Sequence, residues 1–204
     1  MIRDHALAVS GLLRERLGGP SVFPDQPDDL YKGLVVDADY PGTKWLTSTG
    51  DDLYRRSLYT FWKRTVPHPV MNVFDTPDRE FGCVRRSRTN TPLQALTLMN
   101  EPALIRAAGH LGQRIQAEGG GTDAARLAWG FRLTIGRLPT PREAEVLAKV
   151  QIQLRASYQA DTAGAEAMLK SGGVSAAAGQ AGETAAWTAF ASNLLNLDET
   201  ITKN

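Results

Sequence analysis

A single cysteine, Cys83, stands in 204 residues. It excludes an intrachain disulfide, a paired-cysteine zinc site and a Cys-x-x-Cys-His haem attachment. Only three histidines occur, His5, His68 and His110, and no two share the spacing of metal ligands, so no metal site is expected. Long apolar runs are missing as well: nothing approaches the roughly 20 residues of a membrane-spanning helix. The opening "MIRDHALAVSGLLRERLGG" has charges on both sides of its apolar residues, unlike a signal peptide. Charge of one sign is not in excess either. A net charge of +1 argues against nucleic acid or another polyanion as a general partner. No G-x-S-x-G, phosphate-binding loop, H-E-x-x-H or dinucleotide fingerprint occurs.

What is present is an ordinary globular composition, 42% hydrophobic and 22% charged, enough to bury a core in a single domain spanning 1–204. The charge is unevenly spread, with a net −4 over residues 1–54, +5 over 55–88 and zero over 89–204.

Ile2, Ala6, Val9, Leu13 and Leu17 recur at helical spacing and predict a first helix stopped by Gly18-Gly19-Pro20. Prolines at 20, 24, 27 and 41 then imply an extended wrapping segment with at most a short helix around Asp29 to Val36. Residues 51–66 fit both helical and strand periods, and are read as helix first, extended after Lys63, and ended by Pro67-His68-Pro69. Residues 70–88 read as irregular chain.

Beyond residue 90 the pattern is plainly helical. Thr91, Pro92 and Gln94 form an N-cap, a first-turn proline and a capping-box partner, with Leu93, Leu96 and Met99 expected to face the core. Leu104, Ala108, Leu111 and Ile115 make a second stripe. Thr122 caps a third helix carrying Leu127, Phe131 and Ile135 and ended by Gly136. Thr140 to Glu143 is another capping box, followed by Val146, Val150, Leu154 and Tyr158. The small-residue stretch 171–182 reads as a flexible loop. A last helix buries Trp187, Phe190, Ala191, Leu194 and Leu195 before a polar tail. The expected fold is mostly α: an N-terminal helix and an irregular Pro/Gly-rich segment over 1–90, and a helical bundle over 91–204.

Two readings attach to the basic segment. Arg55, Arg56, Arg64, Arg85, Arg86 and Arg88 could meet as a bidentate clamp for an anionic ligand such as an acidic polysaccharide. Alternatively, they pair with acidic residues of the first 54, including Asp25, Asp28, Asp29, Asp37, Asp51 and Asp52, and dock the wrapping segment. His68, beside this cluster, is the candidate acid/base group. Cys83 is either a thiolate activated by nearby arginines or a small buried hydrophobe. Asp75, Asp78 and Glu80 form a possible carboxylate set or a solvated turn, and Tyr54, Tyr59, Phe61 and Trp62 a sugar-stacking platform or core.

The strings "DLYRRSLYTFWKRT", "VRRSRTNTPLQALTLMN", "FRLTIGRLPTPREAEVL" and "WTAFASNLLNLDE", with the opening "IRDHALAVSGLL", resemble the planctomycete-type domain of unknown function number 1553. The resemblance implies the C-terminal part of a large exported protein, periplasmic or extracellular. There the domain follows a companion, domain of unknown function number 1549, often with a c-type cytochrome module nearer the N-terminus. Haem would belong to that module, so no cofactor is expected in this chain, which is expected to be a fragment or a truncated gene. That resemblance, the lack of a catalytic constellation and a basic, aromatic segment suited to docking together point to a helical assembly domain without catalysis, tied to carbohydrate or redox systems. The alternative is part of a composite active site.

Overall fold

The computed structural model describes residues 1–27, 30, 45–64, 66–77, 80–85, 87 and 89–202. Among them run the helices α1 (Ile2–Ser10), α2 (Pro69–Val73), α3 (Pro92–Asn100), α4 (Pro102–Glu118), α5 (Asp123–Ile135), α6 (Pro141–Ala160), α7 (Thr162–Gly172), α8 (Ala181–Leu195) and α9 (Asp198–Ile201). The chain is mostly α, as the sequence implied. It divides into two compact units: Met1–Leu12 with Leu98–Asn204, and Leu13–Thr97. The N-terminal helix therefore groups with the C-terminal helices. Apart from Leu30, the short helix expected around Asp29 to Val36 lies outside the described residues.

The first unit is built around α8. Residues 184–191 are buried without a break, Trp187 and Phe190 completely, so this helix is covered on all sides. α4, α6 and α7 supply most of that cover. Glycines permit the closest approaches. A Cβ at Gly112 of α4 would lie 2.9 Å from the backbone N of Thr188, and one at Gly109 would lie 2.6 Å from the carbonyl oxygen of Gly172. The predicted α4 stripe, Leu104, Ala108, Leu111 and Ile115, is buried throughout, as are the five α8 residues expected inside. Thr188 satisfies its buried hydroxyl within α8, donating to Thr184 O at 2.9 Å.

Local stop signals decide several boundaries. α1 ends at Ser10 rather than at Gly18-Gly19, because Gly11 takes the left-handed conformation at φ 79° and its N–H returns to Ala8 O. Arg114 completes this end, donating from Nη1 to Val9 O at 2.6 Å while Glu118 holds its Nε and Nη2. Thr122 and Gly136 bound α5 as expected. α6 opens on the predicted capping box of Thr140 and Glu143. Its inward face differs from the predicted one: Val146 is 52% exposed and Gln151 is buried, with Val150, Leu154 and Tyr158 half-buried.

Segment 171–182 is not simply a free loop. α7 runs into it as far as Gly172, Val174 N donates to Leu169 O at 3.1 Å, and Gln113 Nε2 donates to Ser175 O at 3.0 Å. Val174 and Ala176 also pack on Ala165, Leu169 and Ala185. The tail after Leu195 likewise folds, as α9, with Thr200 Oγ1 donating to Leu194 O at 2.8 Å.

Two arginine networks span the bundle. Arg155 of α6 donates to Glu183 at the start of α8 (2.6 and 2.8 Å) and to Asp123 at the start of α5 (2.8 Å). Both acids sit at helix N-termini, where negative charge is favoured. Arg137 donates to Glu143 (2.7 and 2.9 Å) and to Glu199 of α9 (2.6 and 2.9 Å). The Arg137 hydrogen bond, aided by Thr140, holds the Glu143 carboxyl at about 2, below its ordinary 4.5. A depressed carboxylate stabilises the fold above its unfolded value, and that contribution is lost as pH falls through the folded one. Thermal melts are therefore expected to lose Tm between pH 4.5 and 2, with a shallower pH slope in Glu143→Gln; an unchanged slope would refute this contact.

The second unit is held differently. Two isolated parallel bridges, Arg14 with Arg55 and Val22 with Thr60, tie its segments. The helix expected at the start of 51–66 is reduced to 3-10 turns at Gly50–Tyr54 and Ser57–Tyr59. The mixed periodicity reflects that alternation of tight turn and bridge. Pro69 opens α2 rather than ending a helix, which suits a residue lacking an N–H.

α3 starts on the predicted reciprocal cap: Thr91 N donates to Gln94 Oε1 and Gln94 N to Thr91 Oγ1, both at 3.2 Å. Its orientation, however, is opposite to expectation. Leu93, Leu96 and Met99 are 57%, 59% and 62% exposed, while Gln94 and Leu98 are buried. The reason lies in the Gln94 amide, which donates to Val73 O at 2.9 Å and Thr89 Oγ1 at 2.8 Å. A polar face with such partners can turn inward.

Candidate functional site

Arg55, first of the predicted anion ligands, is 1% exposed. Its guanidinium donates to Pro20 O and Arg16 O, each at 3.0 Å, and to Gly18 O, and lies 3.9 Å above the Tyr59 ring. The turn it grips contains Gly18 and Gly19 in the left-handed region, and Gly18 N donates to the Tyr59 hydroxyl at 2.8 Å. A planar fork with several donors is suited to collecting carbonyls from one turn.

Arg56, Arg64 and Arg85 are exposed; Arg86 and Arg88 lie outside the described residues. The acidic partners differ from those anticipated. Asp51 and Asp52 accept from Arg14 Nε (2.8 Å) and Arg16 Nη2 (2.7 Å), arginines of the same acidic segment, whereas Asp28, Asp29 and Asp37 lie outside the described residues.

His68 is buried at 4% exposure and caps the start of α2. Its Nε2 donates to Asp25 O at 2.9 Å, which fixes the proton on that nitrogen. The ring lies 5.9 Å from Trp45. Trp45 in turn packs edge-on against Phe23, and Phe61 stacks on Phe23 at 4.9 Å. Trp45 Nε1 donates to Pro24 O at 2.8 Å. Of the four aromatics considered for sugar stacking, Phe61 joins this cluster with 39% of its surface exposed, and Tyr59 serves Arg55.

Polar contacts join Asp75, Thr89 and Gln94. Asp75, at φ 53°, accepts from Thr89 N (3.0 Å) and Thr89 Oγ1 (2.7 Å), and Thr89 Oγ1 accepts from Gln94. The Asp75 carboxylate is thus occupied in closing a loop. Asp78 lies outside the described residues, and Glu80 is exposed. Cys83 is exposed, against the buried alternative. Phe81 and Val84 are 80% and 103% exposed. No group of three or more acidic, histidine or cysteine side chains suited to a metal occurs among the described residues, and none of their helices is long and apolar enough to cross a membrane.

The surface that draws attention is therefore apolar. α3 presents Leu93, Leu96 and Met99, spaced three residues apart on one helical face, and the segment before it exposes Phe81 and Val84. Sequence periodicity located this stripe and assigned it inward; a buried Gln94 with three hydrogen bonds was the missing signal.

These features define a mostly helical domain with a small, arginine-centred second unit. Residues 1–151 match the family model PSD1, described as protein of unknown function (DUF1553), and the chain belongs to that family. The match covers the whole second unit and the bundle as far as Gln151 in α6; the string at 187–199 lies beyond it. No curated protein and no solved structure matches the chain.

Proposed function

We propose that the chain is a helical assembly domain without catalysis in a multidomain exported protein linked to carbohydrate or redox systems, with the companion domain number 1549 as its partner. The observation that carries this reading is the apolar face of α3, Leu93, Leu96 and Met99, more than half exposed. Three large apolar side chains in line on a capped helix are a costly surface to leave in water and a ready one to bury on docking.

Titration of the chain with the separately expressed companion domain is expected to give saturable binding. Leu93→Asp should weaken it about tenfold or more. The substitution places an acid in the first turn of α3, where the helix dipole favours it, so Tm should stay within about 2 °C. Absence of binding by the unaltered chain would sink the proposal.

A second reading, part of a composite active site on an anionic polysaccharide, rests on the exposure of Arg56, Arg64 and Arg85. Arg55 and His68 contribute little to it, since both are buried and bonded to carbonyls.

A further inference from the structure

Between α5 and α6 lies a cavity of about 150 Å³. Small side chains make it: Ala124 and Ala128 of α5 and Ala144 and Ala148 of α6 line it, together with Leu127 and Gln151. Alanine methyls on both helices leave room where larger residues would interdigitate. The space opens to solvent past the exposed Ala124, Ala144 and Ile152, and its size suits a benzene-sized molecule.

Gln151 gives the cavity its character. It is 1% exposed, and neither its Oε1 nor its Nε2 has a hydrogen-bond partner within the described residues. Leaving both ends of a buried primary amide unpaired is costly, and a leucine of similar size would avoid the cost. Gln151 is the buried residue of α6, and its amide is explained by a partner that enters from the cavity it lines. The one charged lining residue, Asp123, is already engaged by Arg155 at 2.8 Å. A free anion would meet that carboxylate, and a cation would have to displace the arginine. A neutral guest is favoured.

We infer that this cavity is a binding site for a small neutral ring compound carrying a carboxamide or lactam group. Such a group presents a donor and an acceptor side by side, the complement of the Gln151 amide, while its ring fills the alanine-lined space. The site is independent of the α3 surface.

The test is a titration of the full chain, with alanine methyls isotopically labelled, against benzamide, toluene and benzoate by NMR. Benzamide is expected to give saturable shifts concentrated at Ala124, Ala128, Ala144 and Ala148, and to bind about tenfold more tightly than toluene or benzoate. In Gln151→Leu the order should reverse, toluene now binding better than benzamide. Ala148→Leu, which fills the space, should abolish both. Equal binding of benzamide and toluene to the unaltered chain would overturn the inference, as would no saturable benzamide binding at millimolar concentration, the amide then pairing only with water. This comparison on the unaltered chain decides the matter even where a variant fails to fold.

Discussion

Gly112→Val is expected to lower the melting temperature of the bundle by about 10 °C. The Cβ alone would sit 2.9 Å from Thr188 N and from the carbonyl carbon and oxygen of Trp187. These are backbone atoms of the central helix and cannot move aside as a side-chain tip can. α4 and α8 would have to separate, loosening contacts around Trp187, Phe190 and Ile115, all fully buried. Overpacking costs about 1–3 kcal/mol and sometimes more. With two branched methyls added against main chain, a loss on the order of 3 kcal/mol is a large share of the roughly 5–15 kcal/mol of a typical domain. Gly121→Val is the control, since a Cβ there meets nothing within 4 Å. Circular dichroism melts of the two variants compare them directly. Equal melting temperatures would show that the glycine is not needed at this crossing.

Arg55→Met is expected to open the second unit. The methionine keeps most of the packing volume but strips donors from Arg16 O, Gly18 O and Pro20 O at once. Hydrogen bonds to a charged group are worth about 1.5–3 kcal/mol, so losing this set weakens the unit even where water replaces the guanidinium. Limited proteolysis should then cut within Leu13–Thr97 at least about tenfold faster than in the unaltered chain. Arg55→Lys separates charge from geometry: an ammonium keeps the charge but lacks the planar fork that spans several carbonyls. It should rescue little. Protection restored by lysine would mean that charge, not the carbonyl set, is what the site requires.

The same residue shows where sequence reasoning stops. Arg55 shares a basic segment with five other candidate arginines, yet its partners lie 35 to 39 residues away, in backbone carbonyls that carry no side-chain signature. Nothing local distinguishes it from Arg56, which is exposed. Gln151 is a similar case. Its amide sits on a helix whose apolar pattern suggested a neighbouring stripe, and only the placement of α5 reveals the cavity it lines. The exposed α3 face follows the same rule, since Gln94 turns inward for Val73 O and Thr89 Oγ1.

By itself the sequence determined the helices that begin on Thr91, Thr122 and Thr140, the stop at Gly136, and the stripes of α4 and α8, because caps and apolar repeats act within one or two turns of chain. It also determined the mostly α class. Tertiary structure alone decided that α1 stops at Gly11 with Arg114 closing its end, that α3 shows its leucines to solvent, and that Arg55 and His68 point inward to carbonyls. Those outcomes depend on hydrogen-bond partners distant along the chain, and a buried polar group goes where its partners are.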